Sequence, residues 1–116
     1  MTPKRSRLTK ETIERYLIRA RRTHTSRFLI LYTHIPGISG PQISFSASKK
    51  VAARAVARNK LRRRGYSAVG KLIPMLSTDA AILISYKTNE NKASIAELRD
   101  EIAEALKKAG VFKQSV

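Results

Sequence analysis

Six side chains within ARNKLRRRGY (57–66) set the chemical question: Arg58, Asn59, Lys60, Arg62, Arg63 and Arg64, with no acid among them. Guanidinium and ammonium groups held this close repel one another, so the run is costly unless it is solvated or meets a polyanion. Read as a helix over 49–64, Arg54, Arg58 and Arg62 stand at i, i+4 and i+8, and Lys50 extends the ridge by a turn. Guanidinium forks at that spacing reach successive phosphates, and their planar geometry suits phosphate oxygens. Asn59 adds an amide that can bond a nucleic-acid edge or backbone, or lock the helix to a loop. Binding of this kind is driven by counterion release and is sensitive to salt.

Other chemistries find little support. There is no cysteine, which removes thiol nucleophiles, disulfides and cysteine zinc sites. His24 and His34 have no acid or cysteine near them in sequence and read as surface or strand residues. Glu97, Asp100, Glu101 and Glu104 share one helix, where capping, the helix dipole and i,i+4 pairs account for them. No Gly-rich phosphate loop, nucleophile elbow or paired catalytic carboxylates occur. The sequence therefore predicts no protein-borne catalytic residue and no metal site.

Charge distribution sharpens the reading. The 116 residues carry a net +16; residues 1–64 hold 17 Lys/Arg against Glu11 and Glu14, whereas residues 65–116 are nearly balanced. That asymmetry is the footprint of a polyanion-binding protein. Nucleic acid is the first candidate and an anionic membrane the second. A membrane-surface helix needs bulky apolar residues opposite its charges, and 49–64 offers mainly alanine and valine. At 42% hydrophobic residues, the chain can bury a small core and reads as one domain, residues 1–116, with a flexible basic arm at 1–7 and a flexible tail at 113–116. No apolar run is long enough for a bilayer span or a signal peptide, so a cytoplasmic location is expected.

The elements that must position these groups follow from periodicity. TKETIERYLIRA (9–20) places Ile13, Tyr16, Leu17 and Ala20 on one helix face, with Lys10, Arg15, Arg19 and, at the end, Arg21 and Arg22 on the opposite one. RFLILYTHI (27–35) and QISFSAS (42–48) read as strands around the turn PGISGP (36–41), together a hairpin. Ser48 is placed to cap the helix 49–64, whose small residues Val51, Ala52, Ala55 and Val56 would rest on the sheet. Gly65 is expected to weaken or interrupt it. AAILISY (80–86) reads as a strand covered on both faces. The last helix opens with the capping box Ser94/Glu97 and stops at Gly110. The order helix–strands–helix–strand–helix predicts an α+β fold, a two-layer sandwich with a mixed sheet of about four strands.

FSASKKVAARAVARNKLRRR (45–64) resembles the signature of the bacterial ribonuclease P protein family: a strand running into Ser48-Lys49-Lys50, then Ala55-Val56, Arg58-Asn59 and the basic cluster Lys60 to Arg63. RSRLTKE, RFLILYT, DAAILISYK and the terminal amphipathic helix extend the resemblance over most of the chain. It implies a noncatalytic subunit that assists a catalytic RNA in removing the 5′ leader of precursor tRNA. The chemistry would belong to that RNA and its magnesium ions, with no cofactor bound by the protein alone and no membrane or protein partner required.

By position, the resemblance assigns RNA-subunit binding to Lys50, Arg54, Arg58, Asn59, Lys60, Arg62 and Arg63. It assigns leader binding to Ile13, Leu17, Tyr32, Lys49, Tyr86 and Lys87. Lys49 and Lys50 also sit at a strand-to-helix junction, where backbone N–H groups attract phosphate. The sequence departs from the family at Ile13 and Leu17, which stand where aromatics are common, and at Tyr86, where an arginine is usual. A ribosomal or other RNA-binding module of related α+β architecture is the alternative.

Overall fold

A computed structural model describes residues 11, 13–17, 20–38, 40–89 and 92–112, with the side chains of Ile13 and Glu14 outside that description. The arm 1–7 and the tail 113–116 lie outside it as well. Of the helix expected over 9–20, a five-residue π turn is described, Ile13–Leu17. Its Leu17 is 1% exposed, Ala20 is half-buried, and Tyr16, expected on the same inner face, is exposed.

Arg21 and Arg22 do not continue that helix. They open strand β1, Arg21–His24, which pairs antiparallel with β2, Phe28–His34, so that Arg21 faces Tyr32 and His24 faces Leu29. The turn between them is built by Thr25. Its hydroxyl accepts from the Phe28 N–H at 3.0 Å and donates to Glu101 Oε2 at 2.5 Å. An edge strand exposing two arginines and a histidine resists pairing with another chain.

Strand β3, Gln42–Ser46, was expected to form a hairpin with β2 and does not. Strand β4, Ala80–Tyr86, lies between them, giving the order β1-β2-β4-β3. β4 runs antiparallel to β2 and parallel to β3. The reason is hydrophobic: an unbroken apolar run gains most from a central place with neighbours on both edges, while the serine-alternating β3 tolerates an edge. The expected α+β fold with a mixed four-stranded sheet is present.

Helices α1, Ala55–Val69, and α2, Ile95–Ala109, cover one face of this sheet. Beneath them Phe28, Ile30, Ile43, Phe45, Ile82, Ile84 and Tyr86 meet Leu61, Val69, Leu98, Ile102 and Leu106 in the main core. The opposite face carries a smaller cluster, where Leu17, Ile35 and Ala81 are buried with Ala20, Leu31, Ile38 and Leu83 around them. The N-terminal turn and the two long helices thus sit on opposite sides of the sheet.

Helix α1 begins and ends later than expected. Residues 48–52 form a separate turn, in which the Ser48 carbonyl accepts from the Val51 and Ala52 N–H groups at 3.1 and 3.0 Å. Ser48 caps that turn instead of the helix, accepting from the Val51 N–H at 3.4 Å. Gly65 does not interrupt the helix. A Cβ there would stand 2.5 Å from the Phe45 ring, so glycine is what lets α1 approach β3 this closely. The buried side of α1 is Leu61, Gly65, Tyr66, Ala68 and Val69; the expected contact through Ala55 and Val56 is absent, and Val56 is 76% exposed. Helix α2 has the predicted capping box, with the Glu97 N–H donating to Ser94 Oγ at 3.0 Å, and ends at Gly110 with φ +76°.

Candidate nucleic-acid interface

The late start of α1 breaks up the basic ridge. Arg54 is the N-cap residue and makes no capping bond with its side chain. Arg58 turns back along the axis, and its NH1 donates to the carbonyls of Ala52 and Ala53 at 2.9 and 2.8 Å. This guanidinium holds the chain that enters the helix. Only part of its fork remains for a ligand, so the expected ridge Arg54–Arg58–Arg62 is not a row of three equivalent free cations.

The solvent face is formed by Val56, Asn59, Lys60, Arg63 and Ser67, all exposed. Arg62 leans across it and donates to Asn59 Oδ1. Asn59 is therefore already paired on the helix surface, which orients its NH2 group outward. Val56, Asn59, Arg62, Arg63 and Tyr66 line an open groove of about 490 Å³. Lys49 and Lys50 are exposed on the turn before the helix. Arg64, on the adjoining side, donates to the Ala93 carbonyl and ties α1 to the start of α2.

Among the described residues, the acids of α2 are paired elsewhere. Arg27 takes Glu101 at 2.5 Å and Glu97 at 3.7 Å, Lys108 takes Glu104 at 3.4 Å, and Arg99 takes Asp100 at 3.1 Å. Burial alone would raise the Glu101 pKa. Hydrogen bonds from Thr25 and from the Arg27 backbone and guanidinium outweigh it, and the carboxyl is held below its ordinary value. Asp79, at the other end of the sheet, is lowered chiefly by its hydrogen bond to His34, 2.9 Å away. Nothing in the sequence signals the Arg27–Glu101 clamp, whose members lie 74 residues apart.

The residues assigned to the leader are not brought together. Leu17 belongs to the small cluster on one side of the sheet, while Tyr32 and Tyr86 lie on the helix side. The Ile13 side chain lies outside the described residues. Tyr86 is 4% exposed, its ring packs 4.9 Å from that of Phe28, and its hydroxyl donates to the Leu61 carbonyl at 2.7 Å. Burial pushes its pKa up to about 12, against a smaller opposing influence of Arg64. No base can stack on a ring so enclosed, and the same holds for contact with Leu17; both expectations give way to core packing. Tyr32 is half-buried. Lys87 is exposed, its ammonium donating to the Thr25 carbonyl at 3.0 Å. Because β3 and β4 are parallel, Lys49 and Lys87 follow their strands at the same end of the sheet.

A mixed four-stranded sheet backed by two helices, one of them acid-free and basic on its outer face, defines a small α+β domain suited to a polyanion. The ribonuclease P family model matches residues 2–110. The ribonuclease P protein component of Lactiplantibacillus plantarum is 31% identical over 104 residues, covering 89% of this chain and 90% of that one. The component from Rippkaea orientalis is 31% identical over 71 residues, 61% of this chain and 56% of its own. In fold, the Staphylococcus aureus RNase P protein superposes with a TM-score of 0.77 at 18% identity, over 93% of this chain and 98% of that one. The Thermotoga maritima RNase P protein does so with a TM-score of 0.75 at 16% identity, over 88% and 98%. The chain belongs to the ribonuclease P protein family, the protein component of a tRNA-processing ribonucleoprotein whose partner is an RNA subunit.

Proposed function

We propose that this chain binds the catalytic RNA of ribonuclease P through the outer face of α1 and assists that RNA in removing the 5′ leader of precursor tRNA in the cytoplasm. The observation that carries the reading is the outer face Asn59, Lys60, Arg62 and Arg63 on a helix that contains no acid, with Lys49, Lys50 and Arg54 preceding it. Such a surface is self-repelling until phosphates neutralise it. Arg58 contributes by holding the helix start, and with the rest of its fork. Lys49 and Lys87 at one end of the parallel strands, and Tyr32 on β2, are the leader contacts this reading retains.

Among the described residues no three His, Asp or Glu side chains converge. This reading assigns the ions that the reaction uses to the RNA subunit. The test is reconstitution of the full chain with a bacterial ribonuclease P RNA, assaying precursor cleavage at low magnesium. Stimulation is expected, with RNA affinity falling by roughly 0.7–0.9 log units per log of salt for each phosphate contact. No stimulation, or a slope worth about one contact, would refute the reading.

A further inference from the structure

A second basic site lies at the opposite edge of the sheet from β3. Arg21 and Tyr32 are directly paired across β1 and β2, and such partners project from the same face. His34 follows Tyr32 by two residues and shares that face. With Thr33 and Ala109 these three side chains line an open pocket of about 280 Å³ under the end of α2. It shares no residue with the groove on α1.

Two features give the pocket a chemistry. Arg21 is exposed and makes no ion pair with any described residue, so its fork is available to an anion. His34 Nδ1 lies 2.9 Å from Asp79 Oδ1, and the carboxyl of Asp79 is held ionised by that contact. An ionised carboxylate only accepts, so Nδ1 carries the proton. The bond to Asp79 fixes the orientation of the ring and leaves Nε2 to hydrogen-bond a ligand.

We propose that Arg21, Tyr32 and His34 form a seat for one ribonucleotide of an RNA strand. Arg21 takes the phosphate, the exposed part of the Tyr32 ring supports the base, and His34 Nε2 hydrogen-bonds the ribose 2′-hydroxyl, which can donate or accept. The 2′-hydroxyl is the group by which a protein separates RNA from DNA, and a ring nitrogen fixed beside a phosphate fork is suited to read it. The proposal rests on the RNA-binding reading above and adds the site, the residues and the sugar selectivity. The ribonucleotide can belong to the precursor leader or to the RNA subunit.

The experiment uses the reconstituted holoenzyme. Affinity is measured for precursor tRNA with an all-ribo leader, for the same precursor with a 2′-deoxy leader, and for mature tRNA; affinity of the chain for the RNA subunit is measured separately. If the seat holds the leader, the ribo leader binds more tightly than the deoxy leader by roughly three- to ten-fold, the worth of one hydrogen bond. His34→Ala then removes that difference, whereas Arg21→Ala weakens both leaders and leaves mature tRNA unchanged. If it holds the RNA subunit, Arg21→Ala and His34→Ala instead each weaken subunit affinity by a similar factor. Asp79→Asn should act like His34→Ala, and thermal melting confirms that each variant is folded. Folded variants that change neither affinity overturn the proposal while leaving the RNA-binding reading intact. Absence of RNA binding by the wild-type chain overturns both.

Discussion

The Tyr86 hydroxyl donates to the Leu61 carbonyl at 2.7 Å, joining the last residue of β4 to the middle of α1. This bond helps fix how the basic helix sits on the sheet, and it commits Tyr86 to the interior. Truncation to alanine should destabilise the fold by about 3–5 kcal/mol, as expected for an enclosed aromatic. Phenylalanine should cost about 1 kcal/mol, the net value of the hydrogen bond. The pH dependence gives a second signature. In the unfolded chain this phenol titrates near 10, in the fold near 12, so its contribution is intact below pH 10 and declines as pH rises toward 12. Tyr86→Phe should flatten that part of the alkaline limb in denaturant titrations; an unchanged limb would mean the phenol is free.

Arg58 and Arg63 should separate folding from binding. Arg58→Ala removes two bonds to carbonyls at the helix start and should lower stability by roughly 1–3 kcal/mol. Arg63 is exposed on the outer face; its alanine variant should melt within about 0.5 kcal/mol of wild type yet bind the RNA subunit more weakly, with a shallower salt slope. Reversed behaviour of the pair would show that the ridge, and not the outer face, meets the RNA.

Gly65→Ala offers a case in which helix propensity predicts the wrong sign. Propensity favours alanine by about 1 kcal/mol. The added Cβ, however, would lie 2.5 Å from the Phe45 ring, and overpacking of this kind costs about 1–3 kcal/mol. A net loss of stability in urea denaturation is expected, relieved in part by Phe45→Leu in the double variant. A stabilised Gly65→Ala would show that the helix shifts away from β3 without penalty.

Glu101 should govern the acid limb. Its carboxylate accepts from Thr25, from the Arg27 N–H and from the Arg27 guanidinium, so Glu101→Gln should cost about 2 kcal/mol at neutral pH. The folded pKa is lowered. The wild-type contribution is therefore complete above the ordinary glutamate range and lost as pH falls through the lower, folded value. Melting curves from pH 7 to pH 3 should converge for wild type and Glu101→Gln; a constant gap would place the stabilisation elsewhere.

Local rules carried much of this protein. The capping box at Ser94/Glu97, the stop at Gly110 and the stripe Leu98, Ile102, Leu106 are decided by side chains within a few residues of one another, and sequence reads them directly. The apolar run of β4 and the charge excess of the first half are equally local facts. What lay beyond reach involved long separations. Whether β3 pairs with β2 or β4 depends on which partner covers more apolar edge, and the nearest-neighbour hairpin lost. Arg21 and Arg22 fit a helix end by composition, yet their strand partners, Tyr32 and Leu31, stand eleven and nine residues further along. The start of α1 was set by a turn and by where Phe45 admits a glycine, so the outer face of the basic helix shifted from Arg54–Arg58–Arg62 to Asn59–Lys60–Arg63. Sequence determined that a basic, acid-free helix exists. Only packing against the sheet decided which of its cations point to solvent, because the helix turns to bury its own largest apolar side, and charge follows.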